Sequence, residues 1–82
     1  MKHASEPVIQ ILEPLLVKVR QFPGLKEKKA GTFYYKSQAF LHFHEHGDQI
    51  FADLKLNGDW VRYEVTHPDL YPIVLAAVQS SF

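Results

Sequence analysis

The chain has 82 residues, nine basic side chains against nine acidic ones, and no cysteine. A single domain of that size buries only about 60 to 65% of its extended surface, so its stability is modest. Its mix of 46% apolar and 22% charged residues belongs to a folded rather than a disordered chain. The balanced charge excludes a net field steering the molecule to nucleic acid or an anionic membrane, and the lack of cysteine excludes disulfides, thiolate chemistry and cysteine-ligated zinc.

The first stretch, "MKHASEPVIQ", lacks a long apolar run ahead of a small-residue cleavage site, and the longest apolar run, "IVLAAV", is far short of a bilayer span. The expectation is a cytoplasmic protein without membrane association. Ser5 stands as an N-cap with Glu6 and Pro7 in the first turn, which predicts a helix over about 6–21. Val8, Ile11, Leu12, Leu15, Val19 and Phe22 recur at three- and four-residue spacing and form its core stripe. Pro14 removes the N–H that would reach the Gln10 carbonyl, which predicts a kink or break near Glu13. Ile9, Leu16 and Val17 lie off the stripe. They read either as a wide core face or as a homodimer contact through this helix.

From Gly31 the period changes from helical to alternating. Strands are expected over about 31–36, 39–46, 49–56 and 59–65, joined at Ser37-Gln38, at His46-Gly47-Asp48 and at Asn57-Gly58, the last a strong tight-turn signal. "PGLKEKKAG" lacks the spacing of a phosphate loop, so Lys26, Glu27, Lys28 and Lys29 read as a solvated connector. Thr66 or His67 caps a second helix over about 68–80, with Leu70, Ile73, Val74, Ala77 and Val78 as its buried stripe and Pro72 delaying its regular part. The predicted fold is two-layer α+β: an N-terminal helix, a four-stranded antiparallel meander and a C-terminal helix. Both helices cover one face of the sheet and leave the other open.

Alternation then divides the side chains. Leu41, Phe43, Ile50, Ala52, Leu54, Leu56, Val61, Tyr63 and Val65 fall on the core side, and Phe40, His42, His44 and His46 on the other. The outer face collects Tyr34, Lys36, His42, His44, Asp53, Lys55, Trp60 and Arg62, together with Phe51 and Glu64. Imidazoles, an indole and both signs of charge on one face suit recognition better than mere solvation.

Three readings fit this face. His42 and His44, two apart on a strand, can converge on a divalent metal such as zinc, with Asp53 as third ligand and His46 or Asp48 as substitutes. His3 and His67 fall in other elements. Alternatively, Trp60, Tyr34 and Phe51 stack on a flat ligand while Arg62, Lys36 and Lys55 hold its carboxylate or phosphate, making the domain a non-catalytic module for a small molecule or a protein. Asp53, Glu64 and the neutral charge disfavour nucleic acid. In the third reading the histidines merely pair with Asp53 and Glu64 across the sheet. The serines at 5, 37, 80 and 81 fall at caps, turns and the chain end, so no nucleophile is placed for catalysis. The favoured expectation is the binding module.

The order "FPGL", "GTFYYKSQAFLHFHE" and "FADLKL" resembles small bacterial domains of the luciferase-domain family, through Pro23-Gly24, Phe40, His42 and His44. More distantly it is similar to the MmcQ/YjbR group, through the same Pro-Gly and a lysine-bearing hairpin followed by "IFADL". The resemblance implies a small α+β fold. Light-producing oxidation is not carried over, because no cofactor site is recognisable, and "DWVRYEVTHPDLYPIVLAAV" departs from both patterns.

Overall fold

Pro14 shapes the N-terminal helical segment. In the computed structural model, which describes residues 1–82, the helix breaks at Leu12 into α1 (Glu6–Ile11) and α2 (Glu13–Val19). The break puts Pro14 in the first turn of a new helix, where its missing N–H costs nothing. It also ends the continuous stripe predicted across the segment. Leu12, Leu15, Leu16 and Val19 are buried, whereas Ile11 is 59% and Val17 45% exposed. Leu16 is thus a core residue and Ile11 is not. Ser5 makes no side-chain cap; its N–H and its Oγ both donate to Glu45 Oε2 at 2.8 Å.

The sheet has six strands rather than four: β1 (Lys2–His3), β2 (Leu25–Lys29), β3 (Thr32–Tyr35), β4 (Gln38–His46), β5 (Gln49–Leu56) and β6 (Asp59–Glu64). Strands β2 to β6 run side by side in chain order, all antiparallel. β3 pairs with β4 over Gln38 to Leu41, and β1 pairs farther along, Lys2 with Glu45 and His3 with His44. The two therefore lie end to end along one side of β4.

The lysine-rich run expected to be a connector is instead edge strand β2, with Lys26 opposite Tyr34 and Glu27 opposite Phe33. Lysines suit an edge because their charge discourages further pairing. Glu27 turns to the helix side, where Arg20 donates to its carboxylate at 2.6 and 3.1 Å and the Gly31 N–H at 2.9 Å. The first hairpin turns at Lys36-Ser37, one residue earlier than predicted, and both carry positive φ (52° and 67°), as do Asn57 and Gly58 (52° and 87°). Two successive left-handed residues match the twist of the strands they join.

Between β3 and β4 the register slips: Phe33 faces Leu41 but Tyr34 faces Ala39, leaving Phe40 as the extra residue of a bulge. Phe40, expected on the outer face, is turned into the core at 6% exposure beside Leu41. Its ring packs near Tyr35 and Phe82, with centroids 5.8 and 6.2 Å away.

After a 3₁₀ turn (Pro68–Leu70), α3 spans Tyr71–Gln79. Val74 and Val78 of the expected stripe are buried and Ala77 packs against the core, joined by Tyr71, whereas Ile73 is 58% exposed. Buried residues of α2 and α3 join Phe33, Leu41, Phe43, Ala52, Leu54 and Val65 in one core. No helix is long and apolar enough to cross a membrane.

Candidate functional site

Strand alternation alone places His42 and His44 together, because Leu41 and Phe43 beside them are claimed by the core. The third imidazole comes from β1. His3 pairs across from His44 and stacks on it with ring centroids 4.6 Å apart, and its ring lies 6.0 Å from that of His42. His42 and His44 are 4.9 Å apart, edge to face. One ring nitrogen from each of the three lies within 4.8 Å of the others.

The short strand carrying His3 is fastened on both sides of that residue. The Ala4 N–H donates to the Phe43 carbonyl at 3.0 Å. Glu45 accepts from Ser5 and sits 3.5 Å from Lys2 Nζ. Hydrogen bonds from the Ser5 backbone and hydroxyl hold the Glu45 carboxyl below its ordinary range, aided by the Lys2 charge.

Asp53, on β5, lies opposite His42 of β4 and opposite Arg62 of β6, and is 6% exposed. Arg62 grips it with both prongs, Nε to Oδ1 at 2.8 Å and Nη2 to Oδ2 at 2.9 Å. This pairing keeps the Asp53 carboxyl below its ordinary range against the opposing effect of burial. His44 Nδ1 approaches Asp53 Oδ2 to 2.8 Å but without hydrogen-bond alignment, and the buried Nδ1 atoms of both His42 and His44 have no hydrogen-bond partner. Burial, helped by the neighbouring His44, lowers the pKa of His42. An imidazole nitrogen without a hydrogen-bond partner, such as His42 Nδ1, is available to an ion.

Trp60, 45% exposed, sets its ring 4.6 Å from that of His42, and Lys55 Nζ lies 5.5 Å from the indole centroid. His42, Asp53, Trp60 and Arg62 line a shallow depression of about 360 Å³. On the other side of His42, a second cavity of about 360 Å³ is walled by His3, Tyr34, Lys29 and Phe43 among others.

The expected set therefore divides. His42, His44, Asp53, Lys55, Trp60 and Arg62 are neighbours on one face, and Tyr34 borders them through the second cavity. Lys36 stands apart in the hairpin turn, with Nζ 5.3 Å from the Tyr35 ring. His46 pairs with Gln49 at the end of β4 and is outside the histidine cluster, as is Asp48 in the following turn. Sequence reasoning missed His3, since a two-residue strand has no periodicity to read. Among the serines, Ser5 is tied to Glu45, and Ser80 and Ser81 bond the Ala77 carbonyl.

A tetrahedral zinc with bonds of about 2.0–2.1 Å sets its nitrogen ligands about 3.4 Å apart. The third member of the cluster is His3 rather than Asp53, whose two carboxylate oxygens both accept from Arg62. No protein-family model matches the chain, and no curated protein or solved structure matches it either.

Proposed function

We propose that this domain binds one divalent transition metal through His3, His42 and His44, leaving a coordination position for a small ligand on the outer sheet face. The observation that carries this reading is the meeting of three imidazole nitrogens within 4.8 Å, with the buried Nδ1 of His42 lacking a hydrogen-bond partner. An all-imidazole set suits zinc, copper, nickel or cobalt better than magnesium or calcium. Asp53, clamped by Arg62 and 2.8 Å from His44 Nδ1, stands where a slight ring turn would let it accept from that nitrogen, as carboxylates do behind metal-bound histidines, leaving Nε2 to the ion. The lowered pKa of His42 spares the metal a competing proton near neutral pH.

The reading is tested by an amide NMR titration of tag-free, chelator-treated protein with zinc and then nickel. Shifts gathered at residues 3, 42 and 44, saturating at one equivalent of micromolar metal, are expected. Response only at millimolar metal would sink the idea. A second reading, metal-free capture of a small anionic aromatic molecule beside Trp60, is favoured by the exposure of that indole next to Arg62 and Lys55. In that case Trp60→Ala weakens binding more than His42→Ala with His44→Ala does.

A further inference from the structure

A second constellation lies at the open end of the β2–β3 hairpin. Lys26, Lys28 and Lys36, with Tyr34 and Tyr35, line a cleft of about 450 Å³ that no acidic residue enters. None of these lysines takes part in an ion pair; the pairs of the fold use Lys2, Arg20, His44 and Arg62. The one carboxylate close in sequence, Glu27, points to the helix side and is occupied by Arg20 and the Gly31 N–H.

Backbone irregularities gather the charges. Lys26 is paired directly with Tyr34 and so shares its face. Lys28 is the extra residue where the β2–β3 register slips, and its Nζ comes to 4.5 Å from the Tyr34 ring centroid. Lys36 reaches the cleft from a left-handed turn position at φ 52°, and Gly24, at φ 86°, closes the far side against Tyr35. Three like charges held around one hollow repel each other, and an anion placed among them relieves that repulsion.

We propose that this cleft binds the phosphate group of a small phosphorylated molecule, with its ring or apolar part against Tyr34. Lysine ammonium groups are adaptable donors to phosphate oxygens. A tyrosine face beside them offers a stacking surface for the rest of the ligand. Tyr34 also borders the cavity containing His3 and His42, so a ligand longer than phosphate itself would extend toward the histidines. The zero net charge of the chain and the presence of Asp53 and Glu64 on the same sheet face favour a small molecule over a polyanionic strand. This proposal goes beyond the metal reading and does not depend on it.

The experiment is an amide NMR titration of metal-free protein with inorganic phosphate and with phenyl phosphate at about 0.15 M salt, where long-range screening removes diffuse attraction. Saturable shifts confined to residues 24–28 and 34–37 are expected, with phenyl phosphate binding more tightly than inorganic phosphate. Lys26→Gln with Lys28→Gln should weaken binding by about tenfold or more, the scale of one or two charge-assisted contacts. Lys18→Gln, on α2, should leave it unchanged. Because the double substitution strips an edge strand of its charge, Lys36→Asn in the turn, where asparagine tolerates the left-handed backbone, provides a second reading. Linear shifts spread equally over Lys18 and Lys55, or binding indifferent to all the cleft substitutions, would overturn the proposal. Shifts centred on Arg62 instead would do the same.

Discussion

His3 faces His44 directly across the β1–β4 pairing, its ring stacked at 4.6 Å, so the strand that begins the chain completes a cluster built in its middle. If the three imidazoles share an ion, His3→Ala should lower zinc affinity by at least about a hundredfold, the upper range for losing even an outer-shell partner. Since His3 is exposed and in a two-residue strand, the thermal midpoint of the metal-free protein should hardly change. Competition with a chromophoric chelator, alongside a melt followed by circular dichroism, checks both halves.

Asp53 and Arg62 should respond unequally to substitution. Asp53→Asn removes a charge-assisted pair but leaves only a half-exposed arginine behind, at a cost of about 1 to 2 kcal/mol. Arg62→Ala instead strands a carboxylate in a nearly closed environment and should shift the urea midpoint further. A larger loss from Asp53→Asn than from Arg62→Ala would contradict the assigned geometry.

Acid should weaken the fold in two stages. The His42 pKa is depressed, chiefly by burial, so the unfolded chain takes up a proton first. Stability falls as the pH drops below about 6.5, the ordinary histidine value. The carboxyls of Asp53, Glu27 and Glu45 are lowered by Arg62, Arg20 and the Ser5 N–H respectively. Their contribution is complete above about pH 5 and is lost progressively below it. Urea midpoints measured across this range should show both slopes, and His42→Gln should abolish the upper one while sparing the lower.

Phe40 tests the bulge. Buried among Tyr35 and Phe82 rather than displayed with the histidines, it should cost about 3 to 5 kcal/mol when cut to alanine. Were it on the outer face, the urea midpoint would barely move.

Much of this architecture was legible locally. Pro14 announced the helix break, Asn57-Gly58 the last hairpin, and alternation along "FLHFHEH" the shared side of His42 and His44, because each signal acts within a few residues of itself. The same is true of Asp53 and Arg62, whose pairing follows from the hairpin that joins their strands. Where a neighbour lay far off in sequence, the local pattern gave no warning.

The sequence by itself determined the helical and alternating periods, the turns and the side of the sheet on which the histidines of β4 stand, since those depend on short-range sterics and on burying apolar side chains. Only the tertiary structure decided that Leu16 replaces Ile11 in the core, that Phe40 bulges inward, that "LKEKK" becomes an edge strand and that His3 lies beside His42 and His44. Helix phase after the break is chosen by the available core. Edge pairing is chosen by unsatisfied backbone groups of β3 and β4 seeking partners, and such groups are common to every residue and carry no sequence signature.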